Sequence, residues 1–127
     1  MSTTTLPTNS HFISLEQGIE MTSLYRAEKE AILATPFQNQ NILANSETFN
    51  RDAIDELLSK DGCAGLRIYY GMSENLHVHA IMVAVNSSNE DILPESASRL
   101  EEGGDLVEEG QRCPDFCPPP SPLNEDE

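Results

Sequence analysis

The chain has 127 residues, which suits one domain and is too short for two cores of ordinary size. Its 7 Lys and Arg against 22 Asp and Glu leave a net charge of -15, so a nucleic-acid backbone or an anionic bilayer would repel it, whereas a basic protein surface or a cation is attracted. No stretch approaches the roughly 18 apolar residues of a membrane span, and residues 1–10 lack both the charged and the apolar region of a secretory signal.

These features predict a cytoplasmic protein. Three cysteines, Cys63, Cys113 and Cys117, do not make a disulfide framework, and a reducing compartment keeps them as thiols.

The first helix is announced by Ser14 with Gln17 three residues on, the pattern of a capping box. Leu15, Ile19, Met21, Tyr25, Ile32 and Leu33 then fall on one broad side, with Glu16, Glu20 and Glu30 mostly opposite. This predicts a surface helix of about five turns, ending near Thr35 because Pro36 disfavours the α conformation before it. Residues 37–46 are rich in Asn and Gln without a period, the mark of a loop anchored by Ile42 and Leu43.

A second helix follows, capped by Asn50, with Phe49 placed to staple onto Ile54, an inward face of Ile54, Leu57 and Leu58, and Gly62 as its stop. Residues 64–70 and 76–85 read as an antiparallel hairpin across the turn at 71–75. In the first strand Leu66, Ile68 and Tyr70 form the apolar face and Arg67 and Tyr69 the mixed one. Tyr70 is therefore expected in the core and Tyr69 at the surface. The second strand is apolar on both faces past His79, as suits a central strand with a further neighbour at residues 91–93 or 47–49.

Beyond Pro94 the chain is acidic and rich in glycine and proline, with Arg99 and Arg112 as its bases, and too poor in apolar groups to offset the entropy of ordering it. The predicted organisation is a flexible N-terminus at 1–10, a compact α+β domain at 11–93, and an acidic, Pro-rich, disordered tail at 94–127. The fold class is α+β, two helices packed on a small, three- to four-stranded, mainly antiparallel sheet.

Two groups of residues could carry chemistry. His77 and His79 have the spacing that places two imidazoles on one face of a strand, where they could ligate zinc, nickel or copper. Cys113 and Cys117 could share an ion or close a small disulfide, and a composite of all four would complete a tetrahedral set. Each pair also has a plain reading: polar residues beside a turn, and exposed thiols in a tail. Cys63 reads as a small buried hydrophobe. The nucleophile elbow, the phosphate loop and the zinc-protease pattern are absent, which points away from a common enzyme class.

The string DGCAGLRIYYG at residues 61–71, followed by MVAV at 82–85 and GQRCP at 110–114, resembles a group of small uncharacterised bacterial proteins that share this order of segments. The resemblance spans about residues 14–91 plus the cysteine segment and implies an order of elements without an activity. The function expected is a non-catalytic protein-interaction or regulatory module that meets a partner with a basic surface, or completes its small sheet as a homodimer. The alternative is a metal-binding or thiol-redox protein using His77, His79, Cys113 and Cys117. No cofactor is expected other than a transition metal such as zinc at that set.

Overall fold

The computed structural model describes residues 5–7, 10–93, 106–113 and 115–125. The fold is α+β, with helices α1 (Leu15–Glu28) and α2 (Arg51–Leu58) and strands β1 (Ser46–Thr48), β2 (Cys63–Met72), β3 (Val78–Asn86), β4 (Leu106–Val107) and β5 (Gln111–Cys113). In place of one sheet there are two, both antiparallel: β2-β3-β4 and β1-β5. The chain forms two compact units, one from Met1–Thr8, Thr48–Gly71 and His79–Gly110, the other from Asn9–Glu47, Met72–Val78 and Gln111–Glu127.

The first unit holds the larger core. Met82, Val83, Ala84 and Val85 are all buried, as a central strand requires. Met82 and Ala84 join Leu57 of α2 in one cluster, with Phe49, Ile54, Cys63, Ile92 and Val107 packed against it. Both ends of the expected staple, Phe49 and Ile54, thus serve the same core. Asn50 is the N-cap of α2 by position, although its side chain makes no capping bond. Gly62 has a φ of 79°, the left-handed conformation that a residue without a Cβ adopts freely, and it releases the chain from α2 into β2. A Cβ on Gly110 would come within 2.6 Å of the Phe49 ring, so that position must stay bare for the ring to pack.

The far edge of β3 is covered in two stages. After β3 the chain turns on Asn86, whose side-chain carbonyl accepts from the Ser88 and Glu90 amides, and Asp91 bridges Val85 while the Ile92 amide donates to Ala84. β4 then pairs Val107 with Met82 and Leu106 with Val83. The segment beyond residue 94 was expected as a disordered tail. Within it, 106–113 carries β4 and β5: Leu106 and Val107 have an unpaired strand to join, a non-local gain that local composition does not encode. Residues 94–105 lie outside the described residues. At the other terminus Leu6, expected in a flexible segment, donates its amide to the Ser87 carbonyl at 3.0 Å.

In the second unit, Ser14 and Gln17 form the capping box on α1. The helix stops at Glu28, short of Thr35, and Thr35–Phe37 form a single 3-10 turn. Its buried side is also not the expected one. Gly18, Ile19, Thr22, Arg26 and Lys29 are half-buried at helical spacing, while Leu15, Met21 and Leu24 are exposed.

The reason is what α1 meets within its unit: backbone carbonyls that need donors. Lys29 donates to Leu43 O at 2.9 Å and Tyr25 to Ala44 O at 2.6 Å. The buried Arg112 of β5 donates to Asn41 O and Ile42 O, and the His77 ring stands 3.1 Å from Gln40 O. Five consecutive carbonyls, 40 to 44, therefore each face a side-chain donor, and Ile42 O takes the Val78 amide as well. Glu30 anchors the start of this loop by accepting from the Asn39 amide at 2.6 Å.

Two outcomes follow for stability. Leu57→Ala, at a fully enclosed position, lowers unfolding free energy by about 2–5 kcal/mol, whereas Leu58→Ala, half exposed in the same turn, changes it by less than about 1 kcal/mol; urea denaturation of the two variants checks the contrast. The Asn39 amide, followed by Lys29, holds the Glu30 carboxyl below its ordinary pKa. A lowered folded value stabilises above the unfolded value, and the contribution is lost as pH falls through the folded one. The stability difference between wild type and Glu30→Gln therefore shrinks between neutral pH and about pH 3.

Candidate functional site

Two surfaces, one in each unit, have the makings of a site. In the first unit β2 is an edge strand, with β3 on one side and no strand on the other among the described residues. One of its faces is turned to the protein by polar bonds. Arg67 pairs with Asp91 at 2.5 Å and bonds to Asn89, and the Tyr69 hydroxyl bonds to the second oxygen of Asp91.

Those bonds tie the turn after β3 onto β2, and by strand alternation they send Leu66, Ile68 and Tyr70 the other way. These three are 36%, 50% and 80% exposed. Tyr70, expected in the core, thus lies at the surface and Arg67 is half-buried, whereas Tyr69, expected at the surface, is exposed there. The inward positions include Gly65 and Gly71, where a Cβ would press on Leu6 and on Ile81 respectively, so that side is filled from its neighbours and needs no large residues of its own.

The four residues singled out for metal chemistry have separate surroundings. β3 begins at Val78, so His77 lies before the strand and does not share a strand face with His79. Its contact with Gln40 O calls for a protonated Nε2 that donates. His79 Nδ1 stands 3.2 Å from Glu108 Oε1, an ion pair when the imidazole is charged. Cys113 and Cys117 are joined as a disulfide with Cα atoms 4.5 Å apart, a separation that permits the bond. This corrects the expectation of free thiols. As a disulfide neither sulfur is a thiolate, the form that binds metal. Among the described residues, no group of three or more His, Cys, Asp or Glu ligand atoms within 4.8 Å includes His77, Cys113 or Cys117. Cys63 is a half-buried free thiol packed at the core, close to the role read for it.

In the second unit the disulfide forms part of the wall of a cavity of about 630 Å³, together with Tyr25, Arg26, Ser46, Pro119 and Leu123. The Arg26 guanidinium donates to Leu123 O at 2.7 Å and to Glu125 O at 2.6 Å, which fixes the far wall against α1. That wall is a turn of its own. The Ser121 amide donates to the Asn124 side chain, and the Asn124 and Glu125 amides both donate to Ser121 O. Burial pushes the Tyr25 phenol up in pKa; the Arg112 charge opposes the rise and Glu30 adds to it. Tyr25 stays a neutral donor to Ala44 O throughout the physiological range.

Sequence reasoning missed this cavity, because its walls come from segments about a hundred positions apart. The one local signal was Ser121 with Asn124 three residues on after a run of prolines, a turn pattern inside the segment expected to be disordered. No helix among the described residues is long and apolar enough to cross a membrane. Comparison of the chain with protein-family models, with curated proteins and with solved structures returns no match, so the assignment of function rests on these two surfaces.

Proposed function

We propose that the chain is a non-catalytic protein-interaction module whose docking surface is β2, and that its partner is a basic protein presenting an extended segment. The observation that carries this reading is the outward row of Leu66, Ile68 and Tyr70 on a ten-residue edge strand. A strand edge offers unpaired N–H and C=O groups at regular spacing, and a row of large apolar side chains beside it supplies area for every second residue of an added strand.

Charge selects the partner. A second copy of the chain brings another net charge of -15 and is repelled at long range, whereas a Lys- and Arg-rich segment is drawn in. A partner strand that alternates basic and apolar residues satisfies both demands, with its apolar face on Ile68 and Tyr70. The cytoplasmic setting expected from the sequence places such an encounter in a compartment rich in basic proteins. It also means that the Cys113–Cys117 pair meets reducing thiols there.

The test is a titration of the isotope-labelled full chain with a synthetic peptide of alternating Lys and Val, followed by amide resonances. The expected result is saturable shifts confined to residues 63–72, an affinity that falls with added salt, and a loss of at least about tenfold in affinity for Ile68→Lys, since like charge then replaces apolar contact. Shifts scattered over acidic residues, unchanged by Ile68→Lys, would overturn the proposal. So would light scattering that shows a dimer with the β2 amides protected, which would assign the edge to a second copy.

A further inference from the structure

The disulfide at the cavity wall has two unlike ends. Cys113, at the end of β5, is 7% exposed, and its carbonyl is fixed by the Asn45 amide at 2.9 Å. Cys117 is exposed and borders the same cavity. An incoming thiolate can thus reach one sulfur far more readily than the other, and access decides which sulfur is attacked.

As a staple the bond does little. In the chain-entropy account the stabilisation grows with the length of the loop closed, and the loop here is among the shortest, with a sequence separation of 4. The turn it closes is also held without it, by the Phe116 amide donating to Arg112 O at 2.7 Å. With the bond broken, the two thiols would therefore remain within reach of each other. The Arg26 guanidinium lines the same cavity as the two sulfurs. Cationic surroundings favour a thiolate leaving group.

We infer that Cys113 and Cys117 form a redox-active pair that exchanges with a dithiol, with attack at Cys117 and Cys113 as the leaving sulfur. A thiolate of the dithiol forms a bond to Cys117 Sγ as the Cys113–Cys117 bond breaks, and the electron pair leaves on Cys113, which takes up a proton. The second thiol of the dithiol, deprotonated, attacks its own sulfur in the mixed disulfide. A cyclic disulfide departs and Cys117 is released as a thiolate that is then protonated. In sum two electrons and two protons pass from the dithiol to the protein pair, and the reverse sequence restores the disulfide. This activity is independent of the β2 docking surface, which lies in the other unit.

The experiment equilibrates the native full chain with reduced and oxidised dithiothreitol in varying ratio, then alkylates and weighs it, with far-UV circular dichroism in parallel. Wild type and Cys63→Ala are compared, to separate the third thiol. The expected result is reversible gain and loss of two alkylatable thiols at Cys113 and Cys117 with the helical signal unchanged. Reduction that occurs only together with loss of that signal would show a structural bond and overturn the inference.

Single-cysteine chains assign the direction. In Cys113→Ala with Cys63→Ala, the remaining Cys117 reacts with an aromatic disulfide reagent at least about tenfold faster than Cys113 does in Cys117→Ala with Cys63→Ala, as exposure dictates. Equal rates would overturn the assignment of Cys117 as the attacked sulfur.

Discussion

The second unit depends on how five consecutive carbonyls, 40 to 44, are satisfied. A backbone carbonyl taken from water without a donor costs about as much as a lost hydrogen bond, and this loop has no ladder of its own to supply donors. Tyr25 and Lys29 from α1, His77 from the turn before β3, and Arg112 from β5 supply them instead. Bonds of this kind with a charged donor are worth about 1.5–3 kcal/mol each, so Lys29 and Arg112 outweigh the neutral pairs. Arg112 does most of the work at one point, because a single nitrogen, Nη2, serves two adjacent carbonyls. Its Nε and Nη1 have no partner among the described residues, a desolvation cost that the two bonds must offset.

This arrangement explains the inverted burial of α1. A helix packed on an apolar sheet buries Leu and Met, and the sequence offers them in Leu15, Met21 and Leu24. A helix packed on carbonyls and on a turn buries its donors, here Arg26 and Lys29, with Gly18 and Thr22 allowing the close approach. The same logic applies to β2. Arg67 faces the protein because Asp91 and Asn89 are there to receive it, and the hydroxyl of the exposed Tyr69 adds a bond to Asp91. In both elements a polar partner distant in sequence overrode the apolar period, and the displaced apolar residues became surface. The exposed row on β2 is thus a consequence of the ion pair beneath it.

What was legible in the sequence was local. The Ser14–Gln17 box, Gly62 with its positive φ, the β2-β3 hairpin and the central character of β3 each follow from residues within a few positions of one another. The α+β class follows from those same elements. What was not legible was the pairing of Leu106 and Val107 with β3, the β1-β5 ladder, the cavity and the carbonyl run, all of which join segments tens of positions apart. The cysteine pair falls between these cases. Its spacing allowed a disulfide, but which state to expect was decided by compartment and not by the geometry that brings the two Cα atoms together. The His77–His79 spacing does not put both rings on one strand, since β3 starts at Val78 and not at residue 76, which leaves His77 outside it.

Arg112 organises the loop at 40–44, and native-state hydrogen exchange on Arg112→Met, which removes every side-chain donor at similar bulk, reads this out. The Val78 amide bonds to Ile42 O and the Asn45 amide to Cys113 O, so both report on the loop, whereas the Lys29 amide, bonded to Tyr25 O, reports on α1. Protection at Val78 and Asn45 is expected to fall by about tenfold or more while that at Lys29 is kept, as local opening requires. Unchanged protection at Val78 and Asn45, or an equal fall at all three, would contradict it.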